Sequence, residues 1–138
     1  MSDTNGKQRI ALVGTGHRGI GNWGRTLLQE HGDRVALVAL SDSNPLRLEV
    51  AREALGKDLP VFTELEPMLA EIKPDTVIVC SRDDTHADII VACLEAGSDV
   101  ITEKPMTISA EGCRRILEAE HRTGRRVDVA FNYRSAPT

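Results

Sequence analysis

Ile10-Ala11-Leu12-Val13-Gly14-Thr15-Gly16-His17-Arg18-Gly19 is the stretch that decides the fold. Four apolar residues in a row stop at a glycine. Short all-apolar runs suit a strand buried on both faces of a parallel sheet. The glycines that follow match G-x-G-x-x-G, and a helical pattern opens after them, with Trp23, Leu27 and Leu28 on one face. In that setting each glycine has a physical task. Gly14 permits the tight turn off the strand, Gly16 lets a pyrophosphate approach the backbone, and Gly19 lets helix and strand pack closely. Free backbone N–H groups at a helix N-terminus, aided by the helix dipole, favour a bound phosphate there. The stretch therefore predicts a strand–turn–helix unit that binds a dinucleotide.

The same strand signature recurs at Val35–Leu40, Thr76–Cys80, Val100–Thr102 and Val127–Phe131, with a weaker copy at Leu59–Phe62. Helical periodicity fills the gaps between them. Leu48, Ala51 and Leu55 share a face in a helix that Gly56 ends. Thr63 is placed to cap a helix whose stripe is Leu65, Met68, Leu69 and Ile72, stopped by Pro74. Ile89, Ile90, Cys93 and Leu94 build the next, ended by Gly97. Ser109 caps the last, with Cys113, Ile116, Leu117 and Glu120 following before Gly124. Strict alternation of strand and helix means parallel strands joined by crossovers. The expected architecture is an α/β doubly wound parallel sheet of order 3-2-1-4-5-6. Residues 1–8 read as a polar leader and residues 9–138 as one dinucleotide-binding domain.

Composition narrows the partners. The chain has 138 residues, 41% of them hydrophobic, and a formal charge of −4. That length suits a single domain with its own core. No Lys/Arg cluster interleaves with aromatics, which argues against nucleic acid. No run approaches the roughly 20 apolar residues of a membrane helix, and Met1–Lys7 lacks the apolar stretch of a secretory signal. The three cysteines, Cys80, Cys93 and Cys113, have no metal-like spacing and read as reduced, mostly packed thiols. A cytoplasmic protein without a metal site is the expectation. Cys80 closes an apolar run, so its expected fate is burial.

Asp42 ends the second strand, near the position about 20 residues past the last glycine where a ribose-binding acid is expected. A carboxylate there accepts the adenosine ribose hydroxyls and repels a 2′-phosphate, so NAD is favoured over NADP. Arg47 and Arg18 pull the other way, since either is able to approach a phosphate. A second reading makes Asp42 a turn residue before Pro45. His17 and Arg18 offer donors to phosphate or remain solvated, and Trp23 reads as a packing residue.

The carboxyl ends of the fourth and fifth strands border the other half of such a ligand. After the fourth stands Ser81-Arg82-Asp83-Asp84-Thr85-His86, and after the fifth Glu103-Lys104-Pro105. A lysine ammonium beside an alcohol or carbonyl polarises it or shuttles its proton during hydride transfer. With these residues in hand, the chain resembles the N-terminal domain of the Gfo/Idh/MocA family, which includes glucose–fructose oxidoreductase and inositol dehydrogenase. The likeness runs from Arg9 to Tyr133. It rests on the glycine turn, on Asp42, on Pro74-Asp75-Thr76-Val77, on Thr85-His86, on Glu103-Lys104-Pro105 and on Asn132-Tyr133-Arg134. The Glu-Lys-Pro step is the most specific of these.

The resemblance implies a Rossmann domain in which Lys104 lies near the nicotinamide and the reacting carbon. Glu103 and Pro105 hold that loop, and Ser81 and its neighbours line the nicotinamide ribose. His86 sits at the pocket edge in a catalytic role, or else is a helix-start residue bonded to backbone. Asn132 and Arg134 face a cleft. The resemblance further implies a second α/β domain, carrying most substrate contacts and usually an oligomer interface, which is absent from this chain. The implied activity is hydride transfer between NAD(H) and a hydroxyl of a sugar, cyclitol or related polyol. Two alternatives stand beside it: a stand-alone NAD(H)-binding or redox-sensing module, and the cofactor domain of an NAD-dependent glycosidase. In either case the 138-residue chain alone is expected to be catalytically incomplete.

Overall fold

The computed structural model describes residues 6–16, 23–24, 33–56, 58–81, 85–103 and 109–130. Among them six strands, all paired in parallel, form one sheet: β1 (Gln8–Val13), β2 (Val35–Ser41), β3 (Val61–Phe62), β4 (Thr76–Val79), β5 (Asp99–Glu103) and β6 (Val127–Ala130). Their order is β3-β2-β1-β4-β5-β6, as the alternating pattern predicts. The helices are α1 (Pro45–Leu55), α2 (Leu65–Ile72), α3 (His86–Glu95) and α4 (Ala110–Thr123). The helix expected after the glycine turn lies outside the described residues, apart from Trp23 and Gly24, which sit in a helical turn.

Alternation along each strand builds a core on either face of the sheet. Ile10 and Leu12 of β1 and Ile78 of β4 pack with Leu48 and Ala51 of α1. Ala11 and Val13, with Val77 and Val79, face the other way against Met68 of α2, Ile90 and Cys93 of α3 and Ile116 of α4. The β1–β2 pairing shifts between Ile10 and Ala11, so that Leu37 and Ala39 become consecutive partners and Val38 is extra. This bulge lets both Leu37 and Leu40 join the α1-side core despite their odd spacing.

The helix ends follow local chemistry, with two departures from expectation. Asn44 caps α1 by accepting from Leu46 N–H, with Pro45 in the first turn, and Ser109 caps α4 by accepting from Gly112 N–H. Gly124 closes α4 in the left-handed region, its N–H on Glu120 O. Thr63 does not cap α2: the capping position is Glu64, which makes no side-chain cap bond. Leu117 is 56% exposed rather than part of the α4 stripe, because Ala119 completes the buried face with Ile116. Cys93 is buried, and burial aided by the Glu66 carboxylate pushes its thiol up to about 12. It is an inert core thiol. Cys80 is only half-buried and lines a cavity, which corrects the expectation of burial.

Candidate functional site

From β1 the sheet grows through β2 to β3 on one side, and from β4 through β5 to β6 on the other. The carboxyl ends of β1 and β4 therefore part at a crevice, the usual ligand position in such sheets. A cavity of about 440 Å³ lies there. Gly14 and Gly16 after β1, Asp42 after β2, Arg47 on α1, and Ser81 and Thr85 between β4 and α3 line it. Leu65 and Ile89 supply apolar wall.

The two glycines meet different demands. Gly14 has φ +91°, and a Cβ on it would lie 2.6 Å from the backbone carbon of Cys80 and 2.6 Å from Ser81 N. Its N–H donates to Ser41 O at 2.8 Å, while Cys80 N–H donates to Val13 O at 2.7 Å. The exits of β1, β2 and β4 are thus packed backbone against backbone, and only glycine fits. A Cβ on Gly16 would meet nothing closer than Arg47 Nη1 at 3.9 Å. The fold leaves open space there, on the side where a pyrophosphate needs close backbone approach. A bare backbone facing a cleft, with a carboxylate beyond it, fits a dinucleotide.

Asp42 fits the turn reading and also lines the cavity. Its Oδ2 accepts from Thr15 N–H at 2.8 Å and from Thr15 Oγ1–H at 2.9 Å, and its Oδ1 accepts from Asn44 N–H at 2.9 Å. It braces the glycine turn and starts the turn into α1, while remaining part of the cavity wall. Thr15 is 1% exposed, and its amide is directed at Asp42 rather than at the cavity. Its role is to orient the turn, which corrects its expected place as a direct cofactor contact. Asp42→Ala is expected to weaken NAD binding by about 10- to 100-fold, the weight of one or two hydrogen bonds to a charged group. NADP binding should fall less, because the charge that repels a 2′-phosphate goes too. Parallel titrations with NADH and NADPH check this, and equal losses would reject the ribose assignment.

Ser81 and Thr85 join their hydroxyls at 2.8 Å on the cavity wall. His86 behaves differently from the pocket-edge expectation. It is 0% exposed, with Nε2 2.9 Å from Ser81 O and Nδ1 3.4 Å from Thr102 Oγ1. A carbonyl only accepts, so Nε2 carries the proton. The ring is a buried clip between the β4 exit and β5, with no face toward a substrate. Glu103, at the end of β5, is 7% exposed, and its Oε1 accepts from Trp23 Nε1–H at 2.6 Å. This contact spans 80 residues of sequence, so no local spacing announced it. Of the other sequence-predicted site residues, His17, Arg18, Gly19, Lys104, Pro105 and Asn132 lie outside the described residues.

Among the described residues no group of three His, Cys, Asp or Glu side chains is poised to hold a metal ion. None of their helices is long and apolar enough to cross a membrane.

Comparison with known proteins identifies the family. Residues 8–131 match the profile of a family described as an oxidoreductase family with an NAD-binding Rossmann fold. The Bacillus subtilis protein YteT is 36% identical over 134 residues, covering 94% of this chain and 31% of its own. Inositol 2-dehydrogenase of Paracoccus denitrificans is 34% identical over 130 residues, covering 94% of this chain and 38% of its own. The crystal structure of the WlbA dehydrogenase from Bordetella pertussis, in complex with NADH and UDP-GlcNAcA, superposes with a TM-score of 0.86. It is 34% identical and covers 94% of this chain and 39% of that one. The chain thus spans about a third of the length of the relatives it matches. With a doubly wound sheet, a glycine cradle at its switch point and a family match over residues 8–131, the chain belongs to the Gfo/Idh/MocA oxidoreductases and is an NAD-binding Rossmann domain of that family.

Proposed function

We propose that this domain serves an enzyme that moves hydride between NAD(H) and a hydroxyl carbon of a sugar, cyclitol or related polyol. The observation that supports it most is the shared carboxyl edge. Gly14, Asp42, Ser81 and Glu103 all leave their strands at that edge, and Lys104 follows Glu103 directly in the chain. The adenosine half of the cofactor then belongs with Asp42 and the pyrophosphate with the Gly14–Gly19 turn. Ser81 belongs with the nicotinamide ribose. When bound, NAD supplies the hydride acceptor. Lys104 hydrogen-bonds the substrate hydroxyl oxygen and carries its proton as that carbon becomes a carbonyl. Leu65 and Ile89 give the cavity its apolar wall and limit water there. The names of the relatives, an inositol dehydrogenase and a dehydrogenase crystallised with a nucleotide sugar acid, favour a polyhydroxylated substrate.

The test is NAD reduction by the enzyme, followed by absorbance, with myo-inositol and with UDP-GlcNAcA as probes. Turnover of at least one is expected. Lys104→Met should lower that turnover by about 100- to 10,000-fold, the range of a lost acid–base group, with NADH affinity held within about threefold. NADH binding without turnover of either probe would point to a binding module instead. An undiminished rate in Lys104→Met would remove the lysine from the mechanism.

A further inference from the structure

The Trp23–Glu103 hydrogen bond joins the segment after the glycine turn to the end of β5. A carboxylate that is 7% exposed needs a donor close by, or its burial is costly. The indole supplies one at 2.6 Å, in the range of charge-assisted bonds. Trp23 follows the glycine turn by four residues, and Glu103 immediately precedes Lys104. The residue before Glu103 is anchored as well. Thr102 is 0% exposed, and its single hydroxyl proton has two acceptors within reach, Glu103 O at 3.1 Å and His86 Nδ1 at 3.4 Å. His86 in turn reaches Ser81 O at the β4 exit. A continuous chain of polar contacts therefore runs from the segment after β1, through the end of β5, to the exit of β4.

We propose that Trp23 is a positioning residue for Lys104: its indole N–H, bonded to the buried Glu103 carboxylate, fixes the backbone step into Lys104 relative to the glycine turn. The proposal rests on the hydride-transfer reading above. It assigns Glu103 to the frame of the site, where the resemblance only gives it the task of holding the loop, and it names the partner through which it acts. The effect of such a joint falls on the chemical step. A displacement of about 1 Å at a reacting group is enough to cost a hundredfold in rate while leaving cofactor binding in place.

The experiment uses the active enzyme with whichever of the two probes it turns over, measuring kcat and KM, and NADH affinity by fluorescence titration. Trp23→Phe keeps the ring and removes the N–H. Glu103→Leu keeps bulk and removes the acceptor, and Glu103→Gln keeps an oxygen acceptor without the charge. Trp23→Phe and Glu103→Leu are each expected to lower kcat by about tenfold or more, with NADH affinity changed less than twofold. The double variant should be no worse than the poorer single one, and Glu103→Gln should recover most of what Glu103→Leu loses. Two results would overturn the proposal. One is an unaffected kcat in Trp23→Phe with Glu103→Gln as impaired as Glu103→Leu, which would make the charge of Glu103 the active feature. The other is an equal fall of NADH affinity and kcat in Trp23→Phe, which would make Trp23 part of the cofactor site. Lys104→Met is run beside them. If it is silent, the hydride-transfer role of the lysine fails and the proposal with it. If it is severe while Trp23→Phe is silent, only the positioning role fails.

Discussion

Gly14→Ala is expected to destabilise the chain by about 3–5 kcal/mol, the sum of a strained positive-φ position and an overpacked contact. Both components are visible at one residue. The backbone at Gly14 has φ +91°, which an alanine adopts only under strain, and the new Cβ would sit 2.6 Å from two backbone atoms of the β4 exit. Neither neighbour is a side chain able to swing away. Relief requires β1 and β4 to part where Cys80 N–H bonds to Val13 O. In thermal unfolding the midpoint should drop by roughly 10–15 °C for a chain of this length. A fall of under about 3 °C would mean that the strand exits move apart easily, and that the crevice is not a rigid frame.

Gly16→Val is expected to separate binding from folding. Its Cβ would meet only Arg47 Nη1, at an ordinary 3.9 Å, and the backbone needs no positive φ. The unfolding midpoint should stay within a few degrees of the parent. The branched side chain would nevertheless fill the place where a pyrophosphate approaches the turn, and NADH affinity should fall by more than about 100-fold, since several charge-assisted bonds are lost together. Fluorescence titration of NADH beside a melting curve reads both quantities. Retained binding would move the cofactor off the glycine turn, and a collapsed midpoint would show that Gly16 serves the fold.

Two glycines in one motif thus do unlike work, and the motif does not say which does what. The pattern of apolar runs was enough to read strand order from the sequence, because each buried strand is a local signal and the alternation with helices restricts the topology. The place of Asp42 at the exit of β2, on the cavity wall, was legible for the same reason: it stands at a strand end at a known distance from the turn. What the pattern could not carry was contact between distant segments. The bonds of Asp42 to Thr15, of His86 to Ser81 and Thr102, and of Trp23 to Glu103 depend on how the loops stack above the sheet edge. His86 shows the consequence. Its place at the start of a helix next to the crevice suited a pocket residue and a helix-start residue bonded to backbone equally well, and its full enclosure with its bond to Ser81 O favours the second. Leu117 and Thr63 show the limit at element ends, where one residue of phase decides exposure or capping.

The crevice between β1 and β4 is expected to bind NAD through the glycine turn and Asp42. The most direct measurement is a fluorescence titration of this 138-residue chain with NADH, repeated with NADPH. The lone tryptophan, Trp23, serves as a second reporter, because its side chain is hydrogen-bonded to Glu103 at the carboxyl end of β5. Saturable binding at one site per chain is expected, with quenching of Trp23 emission in step with it and half-saturation at a lower concentration of NADH than of NADPH. A titration with no saturation, or one in which NADPH binds as tightly as NADH, would contradict it.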